Sequence, residues 1–205
     1  MPTPFDSFYT VICTDLSPYI NWQCELLEYS WSRVNQPGNI VRLVACEETE
    51  ELPQHRFMEA VRCQPTSHHP ESGDYYPPYN RLFSLQEWLQ NKDINGSILI
   101  IDADVVFQKP LKKLVNPGLP LAQHWLDFGF SDDFIGSIRA NSDVAIDKLR
   151  PITWPAVIHS DDLRRMLPRW IELTLRIREA IHRQESDMYG FVVAAEELNI
   201  EFELG

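Results

Sequence analysis

Ser97–Asp104, SILIIDAD, sets four consecutive aliphatic residues in front of two aspartates. A run that is apolar on both faces of an extended chain is the pattern of a strand buried in a parallel sheet. Ile98 to Ile101 are therefore expected to form such a strand, ending at Asp102. In an extended chain, side chains two residues apart point the same way, so Asp102 and Asp104 are expected to converge on one cation. Carboxylates are hard oxygen ligands suited to Mn²⁺ or Mg²⁺, and a pair of them leaves coordination positions for substrate phosphates. Val105-Val106-Phe107 continues apolar, and carboxylates between apolar segments are costly unless something binds them. Ligands of open α/β sheets sit beyond the carboxyl ends of the strands, where this pair falls. Taken alone, a D-x-D triplet is equally a turn or a helix cap.

Upstream, Phe8 to Cys13 reads as a strand. Ser17-Pro18 offers an N-cap followed by proline at the first helical position. Ile20, Cys24, Leu27, Trp31 and Val34 recur at helical spacing until Asn35-Gln36-Pro37-Gly38, and Ile40 to Cys46 is a second strand. This β-α-β opening argues for a mostly parallel sheet with helices on both faces, an α/β fold in one domain spanning residues 1–205. Residues 64–80 are irregular and rich in Pro, His, Tyr and Gly. A loop this long is commonly functional, and Gln64 to Tyr79 is expected to act as a lid. Arg81 to Leu89 reads as a helix. Pro120 to His124 and Pro155 to His159 are further strands. Ser160 is expected to cap the longest helix, which Pro168 should kink or divide. A last helix covers about Met188 to Leu198.

Composition narrows the function. The chain is 44% hydrophobic and 23% charged, as globular proteins are. Asp and Glu total 30 against 18 Lys and Arg, a net charge of −12, which argues against nucleic acid as a partner. Cys13, Cys24, Cys46 and Cys63 form no C-x-x-C pair and read as free, buried thiols. No apolar run approaches the roughly 20 residues that span a membrane. The expected protein is soluble: cytoplasmic if the chain is complete, in the secretory-pathway lumen if it is an excised domain. Asn95-Gly96-Ser97 fits a glycosylation sequon but reads as a turn.

Several stretches together resemble a known family. Asn21-Trp22-Gln23, NQPGNIVR (35–42), HPESGDYYPPYNR (69–81), ILIIDADVVFQKP (98–110), HSDDL (159–163) and SDMYG (186–190) occur in this order over nearly the whole chain. They are similar to the plant and algal peptidyl glycosyltransferases of hydroxyproline-rich proteins, namely the peptidyl serine α-galactosyltransferases and hydroxyproline arabinosyltransferases. The resemblance implies the Rossmann-like GT-A fold and a UDP-sugar donor, UDP-galactose or UDP-arabinose-like. It implies transfer with retention to a hydroxyl acceptor, Ser or hydroxyproline of a protein, and Mn²⁺ (or Mg²⁺) at Asp102 and Asp104. It directs Asn80 and Arg81, with Asp102 and His124, to the donor. Asp187 matches the family's acidic position, usually Glu, and is the candidate catalytic carboxylate, with Glu185 its nearest rival. It would act as nucleophile or stabilise charge on the sugar. A third metal ligand, usually His, comes in such folds from beyond the position of Gly205; His68, His69 and His159 are the substitutes available here.

Two other functions use the same features. A nucleotidyltransferase-like enzyme needs the same carboxylate pair, and a catalytically silent sugar-nucleotide-binding module needs only the binding half. G-x-G-x-x-G, G-x-x-x-x-G-K-[ST], G-x-S-x-G and H-E-x-x-H are all missing from the sequence.

Overall fold

The computed structural model describes residues 5–69, 72–125 and 130–204. The chain runs β1 (Phe8–Thr14), α1 (Pro18–Arg33), β2 (Asn39–Ala45), β3 (Met58–Cys63), α2 (Tyr79–Asn91), β4 (Ser97–Ile101) and β5 (Leu121–His124). It continues through α3 (Asp132–Asn141), β6 (Ile152–His159), α4 (Ser160–Ile181), α5 (Ser186–Glu197) and β7 (Glu203–Leu204). The seven strands form one sheet in the order β3-β2-β1-β4-β6-β5-β7. Every neighbouring pair is parallel except those made by β6, which runs against β4 and β5. The expected mostly parallel α/β sheet is present.

Alternation along the strands divides the core between two faces. Val11, Val41, Leu43, Ile98 and Ile100 pack with Leu82, Leu85 and Trp88 of α2, Leu163 and Trp170 of α4, and Phe191 of α5. Phe8, Ile12, Ile40, Leu99 and Ile101 pack on the other face with Cys24 and Leu27 of α1. Helices thus cover both faces. All five residues of β4 are buried. At about 1.5–3 kcal/mol per buried aliphatic side chain, Ile98–Ile101 contribute roughly 6–12 kcal/mol before conformational entropy is set against them. On the outer layer, α5 lies so close to α4 that a Cβ on Gly190 would meet Thr174 Oγ1 at 2.4 Å. At the other end of β4, a Cβ on Gly96 would meet the Ser7 carbonyl at 1.9 Å, so the chain bends at Gly96 tightly against the entry to β1.

The structure departs from the sequence reading in four places. β3, MEAVRC, is a half-exposed edge strand whose polar residues hide its pattern. α3 carries a legible N-cap, Ser131, whose hydroxyl accepts from the Phe134 N–H. Pro168 does not divide α4: it sits on the exposed side, and the helix runs unbroken through 22 residues. The cap of α4 is His159, whose ring nitrogen accepts from the Asp161 N–H, while Ser160 is buried. The four cysteines are free as expected, although Cys13 is only partly buried.

Candidate active site

β1 and β4 lie side by side in parallel, with Ile12 opposite Ile101, so Thr14 and Asp102 leave the sheet at the same edge. Beyond Ile101 the chain turns, with the Val105 N–H directed at the Asp102 carbonyl at 3.4 Å. The expected extended geometry through Asp102–Asp104 is therefore replaced by a turn. Both carboxylates nonetheless line the same pocket, of about 330 Å³. Its wall is completed by Cys13, Thr14 and Asp15 after β1, Tyr19, Ile20 and Gln23 of α1, Pro77, Pro78, Asn80 and Arg81 at the start of α2, and Gln184. Asp104 is exposed and, among the described residues, makes no hydrogen bond or ion pair.

Arg81 lies at the centre of the charged groups. One guanidinium nitrogen pairs with Asp102 Oδ1, and the other donates to Asp187 Oδ2 at 2.8 Å. The indole of Trp154, from the antiparallel strand β6, lies beneath the guanidinium at 4.1 Å. Burial by itself would lower the Arg81 pKa, but Asp102 and Asp187 outweigh it and hold the value above normal. The side chain of Asp102 is 42% exposed, whereas that of Asp187 is 3% exposed.

Asp187 opens the first turn of α5 and does not line the pocket. It lies behind Arg81, and its main-chain N–H donates to the Tyr76 hydroxyl at 3.0 Å. That hydroxyl, with a single proton, faces both Asp187 Oδ1 at 2.9 Å and the Gln184 carbonyl at 2.7 Å. Burial raises the carboxyl pKa of Asp187, with Arg81 and Tyr76 pulling it back. Trp170 Nε1 donates to the Asp187 carbonyl at 2.6 Å, fixing the start of α5 to α4.

Asn80 is a fastener as well as a wall residue. Its side-chain oxygen accepts from the Thr66 N–H at 2.8 Å and from the Thr66 hydroxyl at 3.2 Å. The expected lid is tied down over its described second half. Arg178 of α4 grips both carboxylate oxygens of Asp74 at 2.8 and 3.1 Å and covers the Tyr76 ring at 4.6 Å. Tyr76 and Tyr79 are buried, so the segment is anchored to the body of the fold, with Pro77 and Pro78 forming part of the pocket wall.

His124 ends β5 on the same sheet edge but does not line the pocket. His159 pairs with Ser97 at the opposite end of β4, His68 packs on Tyr75, and His69 accepts from the Ser72 N–H. None of these histidines joins Asp102 and Asp104, and among the described residues no group of three His, Cys, Asp or Glu is placed to hold a metal. Two carboxylates, Asp102 and Asp104, are thus what the pocket could offer a metal, a number that would suit a Mg²⁺- or Mn²⁺-type site completed by substrate phosphates and water. Glu185 occupies the N-cap position of α5, outside the pocket wall.

Sequence reasoning missed three contributors. Tyr76 and Trp154 gave no signal of contact with Asp187 and Arg81. Arg42 on β2 is fully buried and holds the β1–α1 segment. It donates to Thr14 Oγ1 at 2.8 Å, to the Asp15 carbonyl at 2.8 Å and to Asn21 Oδ1 at 2.6 Å. Its remaining contact, with His55 Nε2 at 3.3 Å, requires that nitrogen to be unprotonated. Asn21 and Arg42 belong to two separate motif stretches, and this contact is what joins them.

Known proteins with similar sequence and structure agree with this architecture. A family model described as the hydroxyproline O-arabinosyltransferase family N-terminal domain matches residues 8–204. The peptidyl serine alpha-galactosyltransferase of Arabidopsis thaliana is 26% identical over 97% of this chain and 28% of its own length. That of Chlamydomonas reinhardtii is 22% identical over 89% of this chain and 27% of its own. The hydroxyproline O-arabinosyltransferase RDN1 of Medicago truncatula is 22% identical over 90% of this chain and 54% of its own. The chain therefore spans between about a quarter and about half of these relatives' lengths. Among solved structures, the galactosyltransferase LgtC in complex with donor and acceptor sugar analogs superposes with TM-score 0.55 at 13% identity, covering 90% of this chain and 70% of that one. The apo glycosyltransferase GlyE of Streptococcus pneumoniae gives 0.56 at 13% identity, covering 96% and 44%. The fold is that of GT-A glycosyltransferases. By the match over residues 8–204, the chain belongs to the hydroxyproline O-arabinosyltransferase family, in the region described as its N-terminal domain.

Proposed function

We propose that this chain binds a UDP-sugar together with Mn²⁺ or Mg²⁺ and transfers the sugar, with retention, to a hydroxyl acceptor such as Ser or hydroxyproline of a protein. The observation that carries the proposal is the charge balance of the pocket at the carboxyl edge of β1 and β4. Among the described residues, Asp15, Asp102 and Asp104 line it against one cation, Arg81, whose charge is already divided between Asp102 and Asp187. A diphosphate entering alone meets net negative charge. A divalent cation held by Asp102 and Asp104 would cancel that excess and leave coordination positions for phosphate oxygens. Once bound there, the cation supplies neutralisation of the charge that grows on the leaving diphosphate.

The protein's own part is to bind and orient. The β1–α1 segment, fixed from behind by Arg42, forms one wall, and Pro77 to Arg81 form the facing one. Arg81 is the group suited to a phosphate oxygen, since its fork presents two donors in one plane. Galactosyl and arabinosyl transfer are the activities in the relatives' names, and UDP-galactose is the first donor to test.

Titration calorimetry with Mn²⁺ and UDP, on wild type and on Asp104→Ala, tests the binding half. The expected result is tight UDP binding only with the metal, weakened at least tenfold by the substitution. Hydrolysis of UDP-galactose by water, measured against hydrolysis of UTP, tests the chemistry before any acceptor is known. Equal affinity of both proteins for UDP in Mn²⁺, or turnover of UTP in preference to the sugar nucleotide, overturns the reading.

A further inference from the structure

We infer that Arg81 is a resident cation that occupies Asp102 until a divalent ion arrives, and that it then passes to the donor diphosphate while Asp187 keeps hold of its other nitrogen. The inference rests on the proposed metal and donor site and adds a role for the buried acid behind it. Four features of the structure support it. Arg81 bridges two carboxylates of opposite character, one half-exposed in the pocket and one buried behind it. Asp104, the second ligand candidate, has no partner among the described residues, so the metal has to contest only Asp102. Asp187 is locked on three sides, by Tyr76 at its carboxylate and N–H and by Trp170 at its carbonyl. The Trp154 ring supports the guanidinium plane from below. One end of the arginine is thereby fixed and the other is exchangeable. No bond is made or broken in the exchange: an Arg–carboxylate pair is replaced by a metal–carboxylate pair and an Arg–phosphate pair.

This arrangement gives Asp187 a positioning role. A nucleophile must reach the anomeric carbon; the Asp187 carboxylate lies behind Arg81, outside the pocket lining, and meets Arg81 and Tyr76. Tyr76, covered by Arg178 and packed edge-on against Tyr79, keeps that carboxylate in place. The HPESGDYYPPYNR and SDMYG motifs, which lie more than a hundred residues apart, therefore meet at Asp187, which Tyr76 and Arg81 both bond.

The test separates competition for Asp102 from simple net charge. Mn²⁺ binding without nucleotide, and UDP binding in saturating Mn²⁺, are measured on wild type, Arg81→Met, and Arg81→Met/Asp187→Asn. The double variant removes one positive and one negative charge, so the net charge of the site is unchanged, and it also relieves the buried carboxylate that can unfold the single variant. The expected outcome is Mn²⁺ binding about tenfold tighter in both variants and UDP binding about tenfold weaker, since the competitor for metal and the partner for phosphate are the same group. Mn²⁺ affinity in the double variant equal to wild type overturns the exchange. A wild type that binds UDP with no dependence on Mn²⁺ overturns the underlying site assignment instead. A third variant, Tyr76→Phe, is expected to loosen the fixed end and weaken UDP binding with little change in Mn²⁺ affinity; the reverse pattern counts against the anchoring role.

Discussion

Arg81→Met leaves Asp187 with its burial and without its cation, and the loss of stability should depend on pH. The side chain of Asp187 is 3% exposed, and the substitution takes away the guanidinium paired with it. Breaking a buried ion pair from one side costs about 3–5 kcal/mol. The lost pair with Asp102 adds at most about 1 kcal/mol, because that carboxylate is half-exposed and water screens it. The Trp154 contact adds a similar amount. For a chain of this size each kcal/mol moves Tm by roughly 2–4 °C, so a fall of roughly 10–25 °C is expected near neutral pH. The sign of the pH dependence is set by Asp187. Burial raises its pKa from 3.8, and Arg81 is the strongest influence opposing that rise. Removing Arg81 raises it further. A carboxyl whose folded value lies above its unfolded value favours the folded state below the unfolded value, and that advantage is lost as pH rises through the folded value. Arg81→Met should therefore lie nearest to wild type at about pH 5 and fall furthest behind at about pH 8. Adding Asp187→Asn should recover part of the deficit, a coupling of about 2–3 kcal/mol in a double-mutant cycle. Thermal melts across that range would refute the reasoning if the Arg81→Met deficit were independent of pH, or if the two substitutions were additive.

Asp104→Asn should leave Tm within about 1 °C of wild type, since the side chain is exposed and unpartnered among the described residues, while weakening UDP binding in Mn²⁺; a joint loss of both would place Asp104 in the fold and not in the site. Gly190→Ala should lower stability by about 1–3 kcal/mol, because its methyl group would press on Thr174 Oγ1 and on the backbone of α4; a denaturant melt with an unchanged midpoint would show that α4 and α5 part freely. Arg42→Met should lose about 2–4 kcal/mol, leaving acceptors on Thr14, Asp15 and Asn21 unpaired, and should also weaken UDP binding through the loosened β1–α1 wall. Asn21→Leu should reproduce the weaker UDP binding at a smaller loss of stability.

The central strand and the two aspartates after it can be read from the residues alone. Ile98 to Ile101 can lose water on both faces only inside a sheet covered on both sides, and the structure buries every residue of that run. The helix after Pro18, the strand from Ile40 and the helix at the end of the chain are legible for the same reason: each bears a periodic apolar face that must find a partner. Patterns carried by polar residues are not legible. β3 is an edge strand, and nothing in MEAVRC separates it from a loop. Pro168 reads as a break because the sequence does not reveal that its side of the helix meets water. The site shows the same division. Asp102 and Asp104 are identifiable as residues, because charged groups beside apolar runs are costly without a use, whereas Arg81 and Asp187 are picked out only by the family resemblance. Their arrangement is not. Whether Asp187 lines the pocket or lies behind Arg81 depends on how α5 rests on α4, which Gly190 and Trp170 decide. Whether residues 74–79 open or stay shut depends on Arg178, about a hundred positions further along the chain. These are contacts between groups remote in sequence, and only the folded chain brings them within hydrogen-bonding distance.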